Sequence, residues 1–337
     1  MQRLKILVIQ NPTAELLYRK SQNNKKFFIA HHKCDTIPFM DFQWYPGHMT
    51  KAKRMMQEDI KLIDLVIELL DARAPLSSRN PDIDGLAQGK ARLILLNKAD
   101  LADDAVTERW KKYFAGKGIN VCKIDALSAK SMKQIEPAVM KACEKKFARD
   151  KARGIRQRPV RAMVAGIPNV GKSTFINSYA GKAAAKTGNK PGVTKGKQWI
   201  RIGKTIELLD TPGILWPKFE DQSIGLKLAL LGSIKDEIMN TEELALELIK
   251  VMDERYPGVI EEHYGLTEVG GDALQVPEDM LIGEQAAQAE VLLKIAKVRG
   301  CVKAKGEPDI LKAANMLNEN FRNGKVGRFS LEAPEDF

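Results

Sequence analysis

Gly166-Ile167-Pro168-Asn169-Val170-Gly171-Lys172-Ser173 has the spacing G-x-x-x-x-G-K-[ST], between an apolar run at residues 161–165 and a helical stretch at 174–179. Glycines at both ends let successive backbone N–H groups wrap phosphate oxygens, and a helix N-terminus adds its partial positive charge. The expected cradle is Asn169, Val170, Gly171, Lys172, Ser173 and Thr174. Lys172 brings a charge to the β- and γ-phosphates, and the Ser173 hydroxyl is a ligand for Mg²⁺. A glycine turn with a solubilising lysine is the plainer reading. The strand–loop–helix setting argues against it.

Asp210-Thr211-Pro212-Gly213 begins 37 positions after Ser173, behind a second apolar run at 205–209. Asp210 is placed to hold Mg²⁺ through water, and the Gly213 N–H to sense the γ-phosphate. Between the two motifs, Pro191-Gly192-Val193-Thr194 offers Thr194 as a Mg²⁺ ligand that the γ-phosphate would order. Alone, D-x-P-G is a common turn. Behind a phosphate loop it reads as the second half of a metal site.

Asn97-Lys98-Ala99-Asp100 and Ser128-Ala129-Lys130 follow short apolar runs at 93–96 and 121–124. The Asp100 carboxylate can accept from guanine N1–H and the exocyclic amine, an edge that adenine lacks. Lys98 can lay its methylene stem over the base, and Asn97 can tie its loop to the phosphate loop. The turn at Ser128, Ala129 and Lys130 offers a backbone N–H to guanine O6. An isolated N-K-x-D is also a helix cap. Four motifs at the C-terminal ends of strands, where α/β sheets bind ligands, converge on GTP.

This set resembles the translation-factor class of GTPases with its order changed. The guanine motifs precede the phosphate loop, Thr194 and Asp210, which is similar to the circularly permuted GTPases. Three segments closely resemble the ribosome biogenesis GTPase A family. They are Trp44-Tyr45-Pro46-Gly47-His48-Met49, Leu70-Asp71-Ala72-Arg73-Ala74-Pro75-Leu76-Ser77-Ser78-Arg79-Asn80-Pro81 and Asp210-Thr211-Pro212-Gly213-Ile214-Leu215-Trp216-Pro217-Lys218. The resemblance runs from about residue 40 to the C-terminus, is weakest after residue 255 and excludes the first 39 residues. It implies an α/β fold, a circularly permuted P-loop GTPase domain with a C-terminal all-helical domain. It also implies a bacterial or organellar molecular switch in late assembly of the large (50S) ribosomal subunit, stimulated by that subunit and in contact with its rRNA. Asn169 resembles the residue that accompanies K⁺ activation in related GTPases; a simple loop hydrogen bond is its other reading.

The hydrolytic step has a gap. Ras-like enzymes place a water-orienting glutamine just after the metal-side glycine motif, where Ile214 and Leu215 stand here. The catalytic group must come from elsewhere, which implies slow intrinsic turnover and a partner that activates it. His48, in a Pro-Gly turn, resembles the histidine to which this family's activity is attributed. An imidazole can orient or accept from water near neutral pH. An ordinary loop histidine bonded to backbone or RNA is the alternative.

Positioning these loops requires a parallel sheet whose strands alternate with helices. Buried strands are expected at 61–70, 93–96, 121–124, 161–165 and 205–209, with helices at 50–59, 107–114, 131–147 and 174–179. After residue 215 only helices are expected, at 223–231, 242–255, 284–299 and 308–321, with Pro308 at a first helical position and Gly324 past the end. The domains expected are a basic extension at 1–39, the permuted GTPase at 40–220 and a helical RNA-binding domain at 221–337. The basic run 141–161 is the connection that rejoins the ordinary order, and the chain enters the helical domain soon after Gly213. GTP would then set the angle between the domains. Lys294, Lys297, Arg299, Lys303 and Lys305, continued by Lys312, Arg322, Lys325 and Arg328, form a stripe suited to phosphate contact or to plain solvation. Trp199, Trp216 and Phe219 read as packing residues.

The chain of 337 residues carries a net charge of +11, with +21 in residues 1–235 and −13 in 236–290. Such segregation suits a polyanionic partner. No apolar run approaches a membrane span, and Cys34, Cys122, Cys143 and Cys301 form no close pair, so a cytoplasmic, reduced protein and a monomer are expected. His31, His32 and Cys34 lack a second ligand cluster and read as tail residues rather than a metal site. Residues 1–39 are either an extension upstream of a start at Met40 or a basic targeting or RNA-binding tail. Two rival functions remain: a nucleotide-gated rRNA-binding module whose hydrolysis is incidental, and a tRNA-modification GTPase. The second is disfavoured, because there is no cysteine motif and no extra α/β domain.

Overall fold

Seven consecutive residues, Leu65–Asp71, are buried on both faces, which is how a central parallel strand reads. The computed structural model describes residues 57–155, 158–181, 198–210, 221–234, 240–266, 285–304 and 306–337. Its strands are β1 (Leu65–Asp71), β2 (Ala91–Asn97), β3 (Asn120–Lys123), β4 (Val160–Ala165), β5 (Gln198–Ile202) and β6 (Ile206–Asp210). They form one sheet in the order β3-β2-β1-β4-β6-β5. The helices are α1 (Asp82–Leu86), α2 (Asp104–Gly116), α3 (Ala129–Met132), α4 (Ile135–Ala142), α5 (Glu144–Ala152), α6 (Lys172–Ala180), α7 (Gln222–Leu230), α8 (Thr241–Arg255), α9 (Val259–Tyr264), α10 (Ala286–Val298) and α11 (Ile310–Arg322).

The parallel sheet is realised for β1, β2, β3, β4 and β6, but β5 runs antiparallel to β6 at the edge. A three-residue turn joins the two, with Gly203 at φ 57°, and so short a connection permits only antiparallel pairing. The first strand starts at Leu65 rather than at residue 61. Ile60–Leu62 forms a 3-10 turn, and the Asp64 carboxylate is engaged by Arg158 at 2.8 and 2.9 Å. The single helix expected at 131–147 is divided among α3, α4 and α5. Pro137 lies in the first turn of α4, where its missing N–H costs nothing, so the helix must restart just ahead of it. Pro308 is not the first residue of α11. It bridges Val302, and Asp309 caps the helix by accepting from the Lys312 N–H. Of the helix expected at 50–59, only 57–59 falls among the described residues, and they are helical.

Glu68 points from β1 into a closed ring of charges. It accepts from Arg79 and Arg92, and both arginines also hold Asp84, at 2.9 and 2.6 Å. That ring fixes residues 79–84, so the segment following Asp71 leaves the sheet in one direction. One face of the sheet is covered by Phe175 and Ile176 of α6 with Ile135 and Val139 of α4. The other packs Leu70, Ile94 and Leu96 against Trp110 and Phe114 of α2. The apolar core continues into the C-terminal helices, where α8 meets α7, α9, α10 and α11. Residues 325–337 then return to the sheet: the Leu331 N–H donates to Arg73 O at 2.7 Å, and Trp110 Nε1–H to Glu332 O at 3.3 Å. Among the described residues no helix is long and apolar enough to cross a membrane.

Candidate nucleotide site

β4 ends at Ala165, and the loop to α6 is held by geometry that only its own residues permit. A Cβ on Gly166 would lie 2.7 Å from the Leu69 carbonyl oxygen, so no side chain fits there. Asn169 and Gly171 are left-handed, at φ 58° and 98°. Lys172 is the first residue of α6; its buried ammonium donates to Gly166 O and Ile167 O, both at 3.0 Å. Ser173 and Thr174 follow in the first turn, half-buried. Val164 pairs with Asp210, so β6 ends beside the start of this loop. Asp210 is described only in its backbone. His48, Thr194 and Gly213, with Trp216, Phe219 and Lys305, lie outside the described residues, as does the cluster His31, His32 and Cys34.

The guanine motifs converge on the same edge of the sheet. Asn97 ends β2, and its buried side chain donates from Nδ2 to Val170 O at 2.8 Å while Oδ1 accepts the Ala126 N–H at 3.0 Å. One carboxamide thus joins three loops, those after β2, β3 and β4. Lys98 is left-handed (φ 57°) and donates to Asn169 O at 3.0 Å. The third motif opens α3, with Ser128 as its N-cap and Ala129 and Lys130 exposed in its first turn. Asp100 stands on the open side, its carboxyl raised above the ordinary range first by lost hydration and then by the charge of Asp125. Two N–H donors from a base would relieve that strain on the ionised form.

A buried ion pair underlies the whole site, and motif spacing alone assigned it no role. Asp71, at the end of β1, receives Arg73 Nε and Nη2 at 2.9 Å each and Lys98 Nζ at 3.0 Å. Burial would raise the Asp71 carboxyl, but Arg73 and Lys98 override it and hold it well below the usual carboxylate range. Burial in turn pushes Lys98 below the usual lysine range against the opposing pull of Asp71. Arg73 also donates to Arg322 O at 3.2 Å and lies over the Phe321 ring at 5.6 Å. The sequence signal was present in Asp71-Ala72-Arg73, a carboxylate and a guanidinium two residues apart at a strand end.

Two arginines of the basic stripe donate to backbone carbonyls, and a third, Arg299, lies over the Tyr264 ring at 5.0 Å. Arg322 caps α7 through Leu230 O (3.1 Å) and Ala229 O (2.9 Å), and Arg328 holds the carbonyls of Ala99 and Ala102. Asn169 bonds through Nδ2 to Gly232 O at 2.7 Å, in the turn that ends α7.

The family model described as a 50S ribosome-binding GTPase matches residues 161–270. The chain is 48% identical to ribosome biogenesis GTPase A of Bacillus cereus over 88% of its own length and 96% of that protein. It belongs to the ribosome biogenesis GTPase A family. Mitochondrial ribosome-associated GTPase 1 of Mus musculus is 34% identical over 86% of this chain and 90% of that protein. Among solved structures, the GNP-bound YlqF from T. maritima matches with a TM-score of 0.56 at 28% identity, covering 85% of this chain and 100% of that one. This member of the family is therefore a GTPase with a permuted P-loop fold, as the order of its motifs implied. Enzymes of the class generally use Mg²⁺. Ser173 in the first turn of α6 and Asp210 at the end of the neighbouring strand β6 are residue types that offer hard oxygen donors, the chemistry that suits such an ion.

Proposed function

We propose that this GTPase is a molecular switch in late assembly of the large (50S) ribosomal subunit, with hydrolysis stimulated by the subunit itself. Relatives named for ribosome biogenesis match it along most of its length. The observation that carries the nucleotide part is Asn97, whose single side chain joins the base-side loops to the phosphate loop. In this reading Asp100 accepts from guanine, Lys98 covers the base, and the turn at Ser128, Ala129 and Lys130 meets O6. Asn169, Val170, Gly171, Lys172, Ser173, Thr174 and Gly213 bind the phosphates. Ser173, Thr194 and Asp210 hold Mg²⁺, which when bound neutralises charge on the β- and γ-phosphates. Asn169 Oδ1 is the atom of that carboxamide able to ligate K⁺. His48 orients the attacking water. Residues 40–220 form the GTPase domain and 221–337 a helical domain that meets rRNA, in a cytoplasmic monomer.

Asp100→Asn tests the base assignment. The carboxamide turns one acceptor into a donor, so it opposes guanine and suits the 2-carbonyl of xanthine. GTP affinity is expected to fall by about 100-fold, the scale of two charge-assisted hydrogen bonds, while affinity for XTP rises. An unaltered preference for GTP, measured by competition titration, contradicts the assignment of Asp100.

A further inference from the structure

Behind the guanine loop the C-terminal segment takes up the backbone groups that flank Asp100. The Phe329 N–H donates to Leu101 O at 3.0 Å. Arg328 donates from Nε to Ala102 O at 3.0 Å and from Nη2 to Ala99 O at 3.1 Å. Gly324, at φ +70°, lies so close that a Cβ there would come within 2.5 Å of the Leu101 side chain. The segment is itself fastened beyond these contacts. The fully buried Glu332 carboxylate accepts from the Leu76 N–H (2.6 Å), the Ser77 N–H (3.0 Å), the Ser77 hydroxyl and Lys227 Nζ (3.2 Å). The Ser330 N–H donates to the Tyr256 hydroxyl at 3.0 Å, which ties the strap to the end of α8.

Reading guanine needs both Asp100 oxygens held in one place, opposite two N–H groups that are fixed to each other. Past Lys98, the Ala99 N–H still donates to Ile124 O at 3.1 Å beside the end of β3, and the Leu101 N–H bonds back to Lys98 O within the same turn, at 2.9 Å. On the outer side, three of the four carbonyls from Ala99 to Ala102 are engaged by Arg328 and Phe329.

We propose that residues 324–333 are part of the guanine-recognition apparatus, with Arg328 as the positioning residue that holds the Asp100 loop from behind. This rests on the reading of Asp100 as the guanine acceptor. Base recognition and the C-terminal segment are then linked, and by reciprocity whatever displaces the strap weakens guanine binding.

Affinities for GDP and IDP separate this role from general stability, because inosine lacks the exocyclic amine. Loss of folded protein lowers both affinities together and leaves their ratio unchanged. Wild-type chain is expected to favour GDP by about tenfold, the worth of one hydrogen bond to a charged acceptor. In Arg328→Ala the Asp100 loop is loosened, and the GDP/IDP ratio is expected to fall by about threefold or more, with Arg328→Lys intermediate. The Arg328 side chain is half exposed (52%), so its removal leaves no hole in the core. If the alanine variant nonetheless fails to fold, the ratio measured for Arg328→Lys decides. An unchanged ratio in the folded variant overturns the proposal. A wild-type chain that binds IDP as well as GDP overturns the reading of Asp100 itself, and the proposal with it.

Discussion

Lys172→Ala is expected to lower affinity for GTP by about 10³-fold, since one charge pair near 4 Å at an effective dielectric of 20 is worth about 4 kcal/mol. The geometry explains why the effect is so large. The ammonium is nearly fully buried (8% exposed for the residue) and rests on the carbonyls of Gly166 and Ile167, already inside the loop that would receive phosphate. An arriving polyphosphate offers it full negative charge in place of two carbonyl dipoles, and little ordering remains to be done. Calorimetric titration with GDP and with a non-hydrolysable GTP analogue measures the loss. A thermal melt separates it from misfolding, because the variant also removes the partner of two loop carbonyls. Affinity within a few-fold of wild type contradicts the phosphate-loop assignment.

Arg73→Ala is expected to destabilise the fold by about 3–5 kcal/mol, the cost of stripping one partner from a buried ion pair. The guanidinium is 1% exposed, makes two hydrogen bonds to the Asp71 carboxylate and reaches the last carbonyl of α11. Its loss leaves the Asp71 carboxylate with Lys98 as its one remaining cation, beside the backbone N–H of residue 73, and opens space beside Phe321. Urea unfolding gives the number. The double variant Asp71→Asn/Arg73→Ala is expected to recover part of the loss, because it also removes the stranded charge. A double variant as unstable as the sum of the two single ones would put the cost in packing rather than in charge.

Much of the site could be read from contiguous residues. Gly166 to Ser173 form a loop whose conformation is set by local geometry, the glycines supplying backbone that other residues cannot adopt. Asn97 was legible for a similar reason: it joins its loops from a short motif at a strand end, and strands announce themselves by burial. The contacts that escaped are long-range ones between irregular segments. Glu332 meets Ser77 across 255 positions, and Arg328 meets Ala102 across 226. Neither segment has a helical or strand period to mark it. The basic stripe also shows why charge spacing is a weak guide, since a guanidinium serves a backbone carbonyl as well as a phosphate. Arg322 and Arg328 carry the charge expected of RNA contacts, yet their donors close α7 and the loop after β2. Edge strand β5 was missed because its pattern, Gln198 to Ile202, is short and set by a hairpin with β6.

The measurement that bears most directly on the proposed switch is hydrolysis of GTP in K⁺ buffer, with and without purified large ribosomal subunits, using ATP as the control. The expected result is slow turnover of GTP by the protein alone, a clear rise on adding subunits, and no turnover of ATP under either condition. Hydrolysis that subunits leave unchanged would contradict a switch that waits for its assembly site.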